Sequence, residues 1–60
     1  MRAISSLLKL VGKDVKMTMG GAVYEGKVVD VFVDNYYIFI QLDNGGMYNC
    51  KFIEVIELSE

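Results

Sequence analysis

A mainly β fold is what this sequence predicts: five short strands curled into a small barrel, with a short helix in front. Three observations lead there. Before Gly12 the apolar residues recur at helical spacing, and from Lys13 onward they recur with a period of two. Turn residues cut the alternating stretch at Gly20-Gly21, Asp34-Asn35 and Asp43-Asn44-Gly45-Gly46. One stretch, Ala22 to Val33, is long for a single strand and carries Gly26 inside it. A glycine there lets a strand bend sharply, or lets another backbone come close. At 60 residues the chain has material for one domain, 1–60, and none for a second core.

The helix comes first. Ile4, Leu7, Leu8 and Val11 share a helical face, with Ser5, Ser6 and Lys9 between them. This predicts a helix over Ile4 to Leu10 that stops at Gly12. Val15, Met17 and Met19 then alternate with Lys16 and Thr18, the pattern of a half-buried strand ending at Gly20-Gly21. In the long strand Tyr24, Gly26 and Val28 share one face, and Val23, Glu25 and Lys27 the other. Beyond Gly26, Val28-Val29 and Val31-Phe32-Val33 are apolar on both faces, as expected of a bent strand shared between two sheets. Tyr36 to Leu42 reads as a third strand of high β-propensity, with Ile38, Ile40 and Leu42 inward. Asp43-Asn44-Gly45-Gly46 is the strongest hairpin signal, because Asn-Gly readily takes positive φ. Met47 to Phe52 makes strand four, Ile53-Glu54 a single helical turn, and Val55 to Leu58 the last strand. Closure into a barrel is preferred over two open sheets, whose long Val/Ile/Tyr-rich edges would invite aggregation.

Composition narrows the chemistry. The chain has no His and one Cys, which removes Ser-His and Cys-His nucleophiles, intrachain disulfides and most metal sites. Asp30 and Asp34 share a face but have no partner acid or base of contrasting environment, and the two Gly-Gly turns lack the helix and Lys-Ser/Thr of a phosphate loop. A non-enzyme without cofactor or metal is the expectation. The net charge of −2 gives no bulk attraction to nucleic acid. Lys9 interrupts the short N-terminal apolar run, so no export signal or membrane span is expected. The lone Cys50, read as a small core residue, fits a reducing compartment, and the expected location is cytoplasmic. Apolar residues make up 53% of the chain, more than one small barrel interior holds, so self-association is the simplest outlet.

Gly21-Ala22-Val23-Tyr24-Glu25-Gly26-Lys27-Val28 resembles the Gly-x-x-apolar-x-Gly-x-apolar core of the first motif of Sm-like proteins, the bacterial Hfq branch among them. Leu7-Leu8, followed by Gly12-Lys13-Asp14-Val15-Lys16-Met17, is similar to the helix and first strand of that family. Asp34-Asn35-Tyr36-Tyr37-Ile38-Phe39-Ile40 resembles its Asp-Gln-Phe segment and the aliphatic residues after it. Three departures stand beside these. Two extra residues lie between Gly26 and Asp34, Asn49-Cys50 stands where Hfq has a Lys-His pair, and the Arg-Gly of eukaryotic and archaeal relatives is missing. Biotin-ligase C-terminal domains and other SH3-like barrels share the Gly-Lys-x-Val start, the glycine within the strand and the Asp-Asn-Gly hairpin. The resemblance implies a small five-stranded SH3-like (Sm-like) barrel that assembles into a homo-oligomeric ring of about five to seven chains.

It also implies a non-catalytic protein that binds single-stranded RNA. Asn35 and Tyr36 match the positions that line the ring's inner rim, where an aromatic stacks on a base and an amide bonds its edge. Lys51, with Lys27 or Lys13, is a candidate for phosphate, although no basic cluster is visible. Tyr37 and Phe39 alternate with the inward isoleucines and form an outward stripe. With Met47 and Val55 in the last two strands, they are the candidate oligomer interface. The alternative is a protein-interaction or scaffold module of SH3-like fold, with a protein partner meeting the acidic, aromatic surface. A small-molecule pocket between subunits is a third reading.

Overall fold

The computed structural model describes residues 2–59, with side chains from residue 5 onward, so the place of Ile4 on the helix face lies outside the described side chains. The order is α1 (Arg2–Leu8), β1 (Asp14–Met19), β2 (Ala22–Asp34), β3 (Tyr37–Leu42), β4 (Met47–Asn49), a 3-10 turn (Cys50–Phe52) and β5 (Val55–Leu58). The strands pair antiparallel in one sheet of order β4-β3-β2-β1-β5. No helix among the described residues is long and apolar enough to cross a membrane.

Alternation fills the core. Val15 and Met17 of β1, Val28 and Val31 of β2, and Ile40 and Leu42 of β3 are buried together. Leu7, Leu10, Tyr24, Ile38, Tyr48, Cys50, Ile53 and Ile56 pack around them. The faces of β3 are those the alternation predicts, with Ile40 and Leu42 inward and Tyr37 exposed.

The register of β2 shifts three residues beyond the glycine. Val28 pairs with Leu42 and Asp30 with Gln41, so Val29 is an extra residue against β3, a β-bulge. Strict alternation from Val28 would bury Asp30; the bulge resets the phase, buries Val31 and turns Asp30 to solvent. Gly26 itself keeps regular pairing with Val15. Its role is close approach: a Cβ there would lie 3.0 Å from Asp43 Oδ1 and 3.3 Å from Leu42 Cδ1. That crowding is hard to relieve, because Leu42 is fully buried and Asp43 Oδ1 accepts the Lys27 N–H at 3.2 Å. Gly26→Ala is therefore expected to cost about 1–3 kcal/mol. Thermal melting followed by circular dichroism reads it; an unchanged midpoint would mean that the hairpin moves aside freely.

Two further expectations are corrected. The helical turn comes earlier than Ile53-Glu54: the Asn49 side-chain oxygen accepts the Lys51 N–H at 2.9 Å and starts a 3-10 turn at Cys50. Strand four thus ends after three residues, and Phe52 leaves the inward phase and is exposed. The sheet is also not closed. β4 and β5 stand at opposite ends of the strand order, each with one side that no strand among the described residues covers. β4 is short, and the 3-10 turn carries the chain away before a ladder to β5 can form.

Candidate nucleic-acid interface

β2 and β3 are joined by the shortest common hairpin loop. Asp34 pairs with Tyr37, leaving Asn35 and Tyr36 as the two loop residues. Two-residue hairpins favour turns whose twist matches that of the strands, and type I′ requires positive φ at both central positions. Asn35 has φ 53° and Tyr36 φ 72°. Asn tolerates this conformation well; for a bulky residue it is an outlier that costs about 1–2 kcal/mol. The Tyr36 side chain is 97% exposed, so no burial offsets the cost. Glycine would serve the turn better, and a core contact does not explain the ring. What remains is a free aromatic face, held by the hairpin and open to a ligand.

The 3-10 turn brings a cation to the same end of the molecule. Lys51 Nζ lies 5.6 Å from the centroid of the Tyr37 ring and 5.8 Å from that of Phe52. Such contacts contribute about 0.5–1 kcal/mol at exposed sites and hold the charge over the rings. Lys51 is thus held over Tyr37, the first residue of β3 after the Asn35-Tyr36 turn. Phe52 was missed in the sequence because the alternation assigns it to a strand. The Asn49-x-Lys51 spacing, an Asx turn in the making, is the signal that could have shown otherwise.

The interface candidates separate. Met47 is 60% exposed on β4 and Val55 52% exposed on β5, the two free edges. Phe39 is not at an edge, because β4 pairs with it through Asn49, while Tyr37 lies beyond the β4 ladder, which spans Phe39 to Gln41. They belong to the outer face of the sheet, where Phe39 stacks on Phe32 with centroids 5.6 Å apart. Lys27 is elsewhere, opposite Asp14 in the register of β1 and β2, and Lys13 precedes β1.

The strand edges and α1 leave an apolar cavity of about 290 Å³, lined by Ser6, Leu7, Ile40, Cys50, Ile53 and Ile56. Cys50 is half-buried here, and desolvation raises its thiol pKa above the ordinary value. A raised pKa keeps the group a neutral thiol, the unreactive form. Folding favours the protonated state, so this contribution to stability is complete below the ordinary thiol range and is lost as pH rises through the raised pKa. Comparison of the chain with family models, with curated proteins and with solved structures found no match.

Proposed function

We propose that this domain is a non-catalytic, cytoplasmic RNA-binding module whose copies join into a ring. In this reading Tyr36 stacks on a base of single-stranded RNA, the Asn35 amide bonds a base edge, and Lys51 neutralises a phosphate. The observation that carries it is Tyr36, an aromatic residue held at positive φ and almost wholly exposed. Strain with no structural return is grounds for a functional hypothesis. The resemblance to Sm-like proteins at Asp34-Asn35-Tyr36 supports the same assignment.

The free edges support the ring. Each chain offers two unlike edges, β4 with Met47 and β5 with Val55, and pairing one with the other in a neighbour is a head-to-tail contact that can close. It would also complete the barrel wall between chains and cover edges that otherwise invite aggregation. About five to seven chains is the size the resemblance implies. A second reading, a protein-interaction module without nucleic acid, draws on the net charge of −2 and the lack of a basic cluster.

Tyr36→Ala separates the two. Alanine retains the Cβ and hence most of the backbone strain, so the ring alone is lost. Titration of a short fluorescent single-stranded RNA is expected to show an affinity loss of about 1–3 kcal/mol with unchanged thermal stability. Equal affinity in the variant, or none in the parent, would overturn the RNA assignment. Light scattering on a sizing column reads the ring; a clean monomer would remove it.

A further inference from the structure

The two halves of the sheet present opposite outer faces to solvent. On the β1–β2–β5 half the charges are answered within the chain: Lys16 lies opposite both Glu25 and Glu57, and Asp14 opposite Lys27. Residues directly opposite in an antiparallel pair share a face and interact. On the β2–β3–β4 half the outer face is aromatic, built on the stacked Phe32 and Phe39 with Tyr37 beside them. Its charges find no opposite charge in the register. Asp34 stands opposite Tyr37 and Asp30 opposite Gln41, both on β2. Lys51 lies on the far flank, over the Tyr37 and Phe52 rings.

A face with acids along one side, aromatics in the middle and a cation along the other side is complementary to itself. We propose that this face packs against the same face of a second copy, about a two-fold axis running along β3. Rotation about that axis exchanges the flanks and keeps the height along the strands. It sets Asp34 of each copy against Lys51 of the other, and Phe39 against Phe39. An axis across the strands would instead set Asp34 against the second copy's Asp30, acid on acid, so the charges choose between the two arrangements. The contact is isologous and closes at two copies. It is separate from the β4 and β5 edges, and it leaves Tyr36, at the tip of the turn, outside the paired face. It does not rest on the RNA reading: in the paired form Lys51 is held by the second copy's Asp34, and RNA contact is left to Asn35 and Tyr36.

Charge reversal tests it. Asp34→Lys carries two cations on its face and Lys51→Asp carries only acids, so each variant should repel its own copies. Each alone is expected to halve the particle mass under conditions where the parent is fully paired, as read by sedimentation equilibrium. Mixing the two variants restores both contacts in a mixed pair and should return the parent mass. Phe39→Lys should lower the mass in the same way, and no mixture rescues it. Tyr36→Ala should leave the mass unchanged. A parent mass unaffected by both reversals, or a mixture that stays at the low mass, would overturn the proposal and leave the face to a different protein. An effect of Lys51→Asp alone would point instead to the neighbouring β4 edge.

Discussion

Ile40→Ala is expected to cost about 2–5 kcal/mol, the range for removing a large aliphatic side chain from a packed core. A domain of this length has about 3–9 kcal/mol of total stability at roughly 0.05–0.15 kcal/mol per residue. The substitution therefore takes about a fifth of it or more and, at the upper end, leaves the chain largely unfolded at 25 °C. Ile40 is fully buried on β3, opposite Val31 of β2 and Tyr48 of β4. It also borders the apolar cavity, so the atoms removed enlarge a space that already exists. Three strands meet around the residue, and their ladders hold the backbone apart, which limits collapse into the gap. Urea denaturation followed by circular dichroism measures the effect. A loss below about 1 kcal/mol would mean that α1 or the 3-10 turn moves in to fill the space.

The second large effect runs in two directions at once. Tyr36→Gly relieves a positive φ of 72° and creates Asn-Gly, the pair that a type I′ turn favours most. Relief of about 1–2 kcal/mol of strain is partly offset by about 0.5–1 kcal/mol from the greater freedom of glycine in the unfolded chain. The net gain is about 0–1.5 kcal/mol, worth about 4–8 °C per kcal/mol in a domain this small. RNA affinity should fall by about 1–3 kcal/mol in the same variant, because the stacking ring is gone. Stability and binding moving apart is the signature of a residue kept for its ligand. A lower melting point would instead assign Tyr36 a part in holding the hairpin.

Much of this was legible in the sequence, and the limits have definite causes. Ile38, Ile40 and Leu42 pointing inward, and Val55–Leu58 as the last strand, follow from alternation that nothing interrupts. Gly26 suggests a bend in β2, because glycine is the usual sign of one. The better sign was Asp30, a carboxylate in the phase of the buried Val28, which only an extra residue could turn outward. The 3-10 turn was hidden by a local competition, since the Asn49 side chain takes the Lys51 N–H that a continuing strand would need. Asn35 and Tyr36 stood out as a turn residue beside an aromatic. Their positive φ depends on Asp34 pairing with Tyr37, and the position of Lys51 depends on that hidden turn. Neither is a property of residue types.

The bulge at Val29 has a consequence best put in genetic terms. Val29 is exposed, so exchanging its codon for another changes little that the core can feel. Losing the codon is as mild. β2 would regain strict alternation without turning a residue over: Asp30 would follow Val28 outward, with Val31 still inward and Phe32 still outward. It is a second lost codon that would flip the faces, since no extra residue is then left to absorb it. Natural variation in the gene should therefore be free in letter at Val29 and should tolerate the loss of this one codon.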